Sequence, residues 1–163
     1  MQDIRIRGYY PGVVGKITEL HAVYYYENWG FDMTFETQVG KELSEFVRQF
    51  DEKRDGLWVA AKKGEFAGAI AIDGMHAFDE GARLRWFIVA PQFQKAGIGK
   101  NLILQAVDFC NQRRYPKIYL WTFKGLEDAR RLYESVNFML CEENEVAQWG
   151  QLIREQKYEL DLG

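Results

Sequence analysis

Residues 88–102 have the sequence IVAPQFQKAGIGKNL, and this stretch decides the fold. An apolar strand ends at a proline, a turn with two glycines follows, and a helical apolar pattern then begins. Gly97 and Gly99 permit backbone angles and a close approach that side chains block, so successive N–H groups can point at an anion beside a positive helix end. Lys95 and Lys100 add positive charge. The pattern is typical of a phosphate cradle, although an ordinary strand-to-helix connection has the same elements.

Two common nucleotide-binding motifs do not match this turn. A P-loop requires Gly-Lys-Ser/Thr, whereas Gly99 and Lys100 are followed by Asn101, which has no hydroxyl for magnesium. A dinucleotide fingerprint requires three glycines in the order GxGxxG, and its third position falls on Leu102. The ligand that still fits this turn is a pyrophosphate carried by some other cofactor.

The rest of the chain predicts a mixed sheet with helices on both sides. Helical spacing is expected from about residue 11 to 26 and again from Val39 to Phe50, with Thr34 as the cap of the second helix. Later helices are expected within 102–110 and 129–136, and strands at 4–6, 57–61, 66–72, 84–89, 118–121, 138–141 and 151–160. The predicted order is β-α-α-β-β-β-α-β-α-β-β, with no linker, so residues 1–163 are expected to form a single domain.

Composition limits the function. With 163 residues, a formal charge of -3 and no run of like charges, the chain is not expected to bind nucleic acid. It has neither an apolar signal region nor 18 consecutive apolar residues, so a cytoplasmic protein that binds no membrane is expected. Cys110 and Cys141 are predicted to be core thiols. His21 and His76 are the only histidines, and no metal site is predicted. The sequence does not decide the oligomeric state, and a homodimer is one possibility.

Two motifs make the likeness to a known family specific. Residues 94–99, QKAGIG, match the Q/R-x-x-G-x-G/A motif of the GNAT superfamily of N-acetyltransferases, and residues 129–134, ARRLYE, followed by Asn137 and Phe138, are similar to its A-x-x-L-Y-E…G-F pattern. The resemblance covers residues 4–160. It implies an α/β fold of the α+β type, with a mostly antiparallel central sheet of about seven strands and four helices on both faces. It also implies direct acetyl transfer from acetyl-CoA to a primary amine of a small molecule or peptide.

Three residues depart from the family pattern. Asn137 replaces the usual glycine before Phe138, and asparagine tolerates a left-handed helix end. Leu126 stands where many relatives have an asparagine that contacts the cofactor, and Gln94 stands where an arginine is commoner.

A narrower likeness concerns four short stretches. They resemble acetyltransferase domains fused to MarR-type regulators, and they are GYYPG at 8–12, WGFDMTFE at 29–36, LWT at 120–122 and YELDL at 158–162. The sequence has no DNA-binding half, so this likeness predicts a free-standing version of such a domain. It does not supply a substrate.

The resemblance also implies the cofactor-binding residues. Backbone groups of Ile88 and Val89, beside a splay at the end of the fourth strand, are expected to bind pantetheine and the thioester oxygen. The turn residues expected to hold the phosphates are Gln94, Lys95, Ala96, Gly97, Ile98, Gly99 and Lys100.

The catalytic residues follow from the same resemblance. It implies that Tyr133 is the acid that meets the leaving thiolate, whereas periodicity alone would place Tyr133 in the apolar stripe of its helix. Glu27 and Glu36 flank the segment where relatives bind the acceptor, and each is a candidate base. A base acting through water is the alternative, because glutamates in helices are by default surface carboxylates.

Two other classes of function compete with the enzyme. A non-catalytic acyl-CoA-binding sensor would keep residues 94–100 without needing Tyr133, and a protein-interaction domain would leave the glycine turn unexplained. The acceptor stays undetermined. Aromatic residues near Trp29 would favour an apolar or aromatic amine, but the same residues would be expected if they simply cover the sheet.

Overall fold

A computed structural model describes residues 3–163. A 7-stranded sheet has the order β1-β2-β3-β4-β5-β7-β6, and β4 and β5 form its parallel pair. The predicted fold and element order are confirmed. The elements are β1 (Ile4–Arg7), α1 (Val13–Trp29), α2 (Met33–Arg48), β2 (Gly56–Lys62), β3 (Glu65–Asp73), β4 (Ala82–Val89), a 3-10 turn (Pro91–Phe93), α3 (Ile98–Gln112), β5 (Lys117–Phe123), α4 (Glu127–Ser135), β6 (Met139–Gln148) and β7 (Gln151–Asp161).

Helices cover both faces of the sheet, as predicted. On one face, Leu102 and Ile103 of α3 pack with Ile70 and Ile118 of the strands in the largest core cluster. On the other face, α1 and α2 bury a smaller cluster that includes Val13, Ile17, Leu43, Val59 and Ala69. The two clusters hold β3 between them, which explains why that strand is apolar almost throughout.

Helices α1 and α2 correct three sequence predictions. Helix α1 continues to Trp29, three residues beyond the expected end, and stops at Gly30, whose φ of 72° is left-handed. Asp32 caps α2, because its side chain accepts a hydrogen bond of 2.9 Å from the Thr34 N–H. Thr34, predicted as the cap, lies inside the helix. Phe50, expected in the apolar stripe of α2, follows the helix and is exposed.

The parallel pair β4 and β5 opens along its length. The two strands pair at only two positions, Ala82 with Ile118 and Arg83 with Tyr119. Trp86 then has a φ of 49°, and the β3–β4 register shifts between Ala69 and Ala71. Such a conformation costs about 1–3 kcal/mol for a residue other than glycine, and such strain is concentrated at functional sites. The end of β4 therefore faces a gap in the sheet.

The two cysteines differ in burial. Cys110 is buried in the α3 core cluster, as predicted, and burial raises the pKa of its thiol to about 12. The prediction that Cys141 is a core thiol is wrong, because Cys141 is exposed. It lies on β6, the last strand of the sheet, where most side chains face solvent. Among residues 3–163, no helix is both long and apolar enough to cross a membrane.

Candidate functional site

A groove of about 760 Å³ lies at the gap between β4 and β5. Its walls are formed by the end of β4, the turn before α3, the end of α1, and α4 together with the residues just before it. It brings together seven of the nine predicted cofactor-binding residues: Ile88, Val89, Gln94, Lys95, Gly97, Gly99 and Lys100. Ala96 is not among the residues that line it. Neither is Ile98, whose side chain is 1% exposed and packs in the core, so only its backbone N–H is available to a ligand.

The turn before α3 has the geometry of an anion cradle. Gly97 has a φ of 84°, and a Cβ built on it would meet no atom within 4 Å, so the space in front of it is open. The first backbone bond of the helix runs from the Asn101 N–H to the Gly97 carbonyl at 3.1 Å. The three N–H groups of residues 98–100 precede that bond and lie at the positive end of α3. They suit a phosphate group.

Gly99 serves packing as well as the groove. A Cβ on Gly99 would lie 3.2 Å from Leu132 Cδ2 and 3.5 Å from Phe87 Cζ. The glycine therefore lets α3 approach both α4 and β4 closely. Gln94 fixes the other end of the turn, since its side-chain amide donates a 3.0 Å hydrogen bond to the Val89 carbonyl.

Helix α4 adds groove residues that the sequence analysis missed. Arg131 and Ser135 line the groove together with Asp128. The Lys100 ammonium donates to Ser135 Oγ at 3.3 Å, and Arg131 lies 3.0 Å from Asp128. Lys95 and Lys100 thus place two cations around the cradle, and Arg131, which is paired with Asp128, is a third. The signal was available, because positions 128, 131 and 135 share one face of a helix.

A second cavity, of about 370 Å³, adjoins the groove. The two share four lining residues, Tyr25, Phe87, Leu126 and Ala129. This cavity, called the acceptor cavity below, has aromatic walls made by Phe35, Trp86, Trp121, Phe123 and Trp149. Its polar residues include His21, Glu42, Arg83, Arg85 and Glu155. The two cavities are therefore neighbours at these shared residues.

Tyr133 lies on the acceptor-cavity side of this junction. It lines that cavity, is 5% exposed, and its ring centroid is 6.0 Å from that of Phe87. Burial, followed by the nearby Tyr25 and Tyr158, raises the pKa of Tyr133 far above its ordinary value of 10.0. The hydroxyl therefore stays protonated and can act as a hydrogen-bond donor.

The two predicted bases lie elsewhere. Glu27 and Glu36 are exposed, and neither is among the residues that line the two cavities. The acceptor cavity contains Glu155 instead. No local pattern in the sequence marked Glu155, because its position depends on the insertion of β7 between β5 and β6.

His21 is a second residue of the acceptor cavity that the sequence analysis did not assign. It is 6% exposed, and its Nδ1 lies 2.8 Å from the Ile17 carbonyl. A carbonyl only accepts, so Nδ1 carries the hydrogen. Burial lowers the pKa of His21 to about 4, and the ring is therefore neutral with a lone pair on Nε2. Within residues 3–163, no group of three or more His, Cys, Asp or Glu side chains could hold a metal ion.

Comparison with solved structures supports this fold over the whole chain. The protein yncA from Salmonella typhimurium, solved with its cofactor acetyl-CoA, has a TM-score of 0.74 and 17% identity, covering 99% of this chain and 95% of that one. A GNAT-family acetyltransferase from Staphylococcus aureus Mu50 has a TM-score of 0.78 and 17% identity, covering 98% and 99%. Ribosomal-protein-alanine N-acetyltransferase from Brucella melitensis has a TM-score of 0.76 and 14% identity, covering 96% and 99%.

The sequence itself identifies the family. No curated protein sequence matches the chain significantly. The model of the acetyltransferase (GNAT) family matches residues 15–138, which include the glycine turn, the β4–β5 gap and Tyr133. This match covers more than half of the chain, and the chain therefore belongs to the acetyltransferase (GNAT) family.

Proposed function

We propose that the protein transfers an acetyl group from acetyl-CoA directly to a primary amine of a small molecule or peptide. The observation that carries the proposal is that two cavities share lining residues: a groove with an anion cradle at one end and an aromatic, polar-lined cavity beside it. The groove fits the cofactor because its volume, its three cations and its open glycine turn suit a long molecule with phosphates at one end.

Each part of the groove has a task in this proposal. The N–H groups of residues 98–100, with Lys95, Lys100 and Arg131, hold the pyrophosphate. Backbone groups of Ile88 and Val89, at the gap beside β5, hold pantetheine and face the thioester oxygen, where negative charge develops. Acetyl-CoA would supply an acetyl group already activated as a thioester.

The acceptor cavity positions the amine and moves its proton. As the amine nitrogen bonds to the carbonyl carbon and the carbon–sulfur bond breaks, one proton must leave nitrogen and the thiolate must be stabilised. Glu155 takes the proton, directly or through water, and Tyr133 donates a hydrogen bond to the thiolate. Glu42 is less suited as the base, because Arg85 contacts it.

Binding of acetyl-CoA is the first test. A ligand that binds only the folded protein stabilises it by mass action, by about 2.7 kcal/mol at a hundredfold excess over Kd. We expect acetyl-CoA to raise the melting temperature, and adenosine 3′,5′-bisphosphate, which lacks pantetheine, to raise it less. An unchanged melting temperature at millimolar acetyl-CoA would remove the proposal. Release of free thiol with a panel of amines would then separate an enzyme from an acyl-CoA sensor.

Gly97→Val tests the cradle. A branched side chain would stand in the open space before the N–H groups, so we expect affinity for acetyl-CoA to fall roughly tenfold or more, measured by isothermal titration. Gly64→Val is the matched control, because Gly64 has a similar φ of 80° with nothing within 4 Å but lies in the β2–β3 turn. Both changes strain the backbone, and only the first should weaken binding. Equal affinity in the two variants would place the phosphates elsewhere.

Gly99→Val should also weaken binding, with an added loss of stability because the new side chain presses on Leu132.

Glu155→Gln tests the base. The amide keeps the shape of the side chain but is a much weaker proton acceptor, so we expect kcat to fall roughly tenfold at neutral pH. Glu27→Gln and Glu36→Gln are the informative comparisons, since both glutamates lie outside the cavities. A larger loss of kcat in either of them than in Glu155→Gln would support the assignment made from the sequence.

A further inference from the structure

The acceptor cavity contains two guanidinium groups with different surroundings. Arg83 and Arg85 alternate along β4, so both point to the same face of the sheet. Arg85 contacts Glu42, lies 3.9 Å from Asp73, and stacks 4.1 Å from the centre of the Trp86 ring. Arg85 is thus neutralised by its neighbours.

Arg83 has no such close partner: Asp73 stands opposite it across β3 and β4, but the recorded contact of the Asp73 carboxylate is with Arg85. Arg83 is half-buried in the cavity wall, and within residues 3–163 no carboxylate lies within 4 Å of it and no hydrogen bond of its side chain is found. The positive charge of Arg83 also acts on Arg85. The pKa of Arg85 is lowered first by burial and then by the nearby charge of Arg83. A half-buried guanidinium that no carboxylate contacts leaves its donors open, and the carboxylate of a ligand can satisfy them with two parallel hydrogen bonds.

The position of Arg83 along β4 sets a distance. Phe87, which lines both cavities and so marks the junction where acetyl transfer would occur, follows Arg83 by four residues. Four residues of regular strand place their Cα atoms about 13 Å apart, so a group held by Arg83 lies on the order of 10 Å from the junction. An acceptor that reaches from Arg83 to the junction therefore cannot be an α-amino acid, whose amine and carboxylate share one carbon.

The charges at the two ends are opposite. Arg83 pairs with Tyr119 of the parallel strand β5, and Phe123 lies at the end of that strand, on the side of the junction. Glu155 of β7 pairs with Phe123 and therefore lies at the amine end of the cavity. Between the two ends, Trp86 and Trp121 offer apolar walls.

We propose that the acceptor is a primary amine that carries a carboxylate at the far end of an apolar spacer of roughly 10 Å, and that Arg83 binds this carboxylate. The inference rests on the proposed acetyl transfer and narrows its substrate class. An ω-amino acid has this chemistry, as does a short peptide with free ends and apolar side chains.

A matched pair of acceptors tests the inference. 8-Aminooctanoate and 8-aminooctanamide have the same amine and spacer and differ only in the terminal charge. We expect kcat/KM for the acid to exceed that for the amide by roughly tenfold or more, within the range of hydrogen bonds to charged groups. In Arg83→Gln this ratio should fall to about one. In Arg48→Gln, a control on the exposed end of α2, the ratio should stay as in the wild type. Because a ratio cancels differences in active fraction, partial misfolding of a variant does not disturb the result.

Two outcomes would overturn the inference: equal kcat/KM for acid and amide in the wild-type protein, or a ratio that Arg83→Gln leaves unchanged. 4-Aminobutanoate, with the same charges and a shorter spacer, should lose most of the advantage over its amide. If neither long acceptor turns over, titration of both into the protein saturated with CoA decides, and binding without preference for the acid contradicts the inference. Failure of acetyl-CoA to bind at all would instead contradict the proposed function.

Discussion

Tyr133→Phe is expected to lower kcat by roughly 10²-fold, because it removes the hydroxyl that we propose donates a hydrogen bond to the leaving thiolate. The ring remains, so its packing against Phe87, Phe138 and Tyr158 should persist, and folding and cofactor affinity should change little. The loss should appear in kcat rather than in KM for acetyl-CoA, since the hydroxyl would act only as the carbon–sulfur bond breaks. Steady-state kinetics with a good amine acceptor would measure it.

The burial of Tyr133 decides how the hydroxyl acts. Since burial raises the pKa of Tyr133 far above its ordinary value, full transfer of its proton to the thiolate is unfavourable. A hydrogen bond to a charged partner contributes about 1.5–3 kcal/mol, which corresponds to roughly 10- to 10²-fold in rate. In the proposed mechanism, Tyr133 therefore stabilises the thiolate by a hydrogen bond and does not protonate it.

Tyr158→Phe is the matched control. Tyr158 is 1% exposed and its ring lies 5.9 Å from that of Tyr133, but it is not among the residues that line either cavity. It thus reproduces the loss of a buried tyrosine hydroxyl from the same cluster. Equal turnover in the Tyr133→Phe and Tyr158→Phe proteins, with both shown to be folded, would return Tyr133 to the apolar stripe of α4.

Local patterns predicted much of the fold and of the cofactor groove. The turn at residues 94–100 and the strand before it are adjacent in the chain, so one stretch of sequence carried both the glycine geometry and the charges. The alternation and helical spacing of apolar residues set the element order for the same reason.

The acceptor cavity could not be predicted in this way. Glu155 and Arg83 come from strands far apart in sequence, and they line one cavity only because β7 pairs with β5. Glu27 and Glu36 looked suitable by their sequence position, but the helical period turns them to solvent. The predicted cap of α2 was wrong because Asp32 and Thr34 are both good capping residues, and only the backbone conformation decides between them.

A second large effect is expected on stability. Lowering the pH from about 7 to about 4.5 should lower the free energy of unfolding by about 2–3 kcal/mol through His21 alone. The folded pKa of His21 is about 4 because burial disfavours the charged ring, whereas its ordinary value is 6.5. Between these values the unfolded chain binds a proton and the folded protein does not. The contribution is therefore fully present above pH 6.5 and is lost as the pH falls towards 4.

His21→Gln should remove this part of the acid sensitivity. Urea unfolding of wild type and variant near pH 7 and near pH 4.5 gives two pH-dependent differences, and carboxylates common to both proteins cancel when these are compared. His76→Gln serves as the control for the loss of a histidine, because His76 is exposed whereas His21 is buried. If His21→Gln and wild type lose the same free energy on acidification, the ring binds its proton equally in both states. That result would contradict the assignment of His21 as a neutral ring with a free lone pair in the wall of the acceptor cavity.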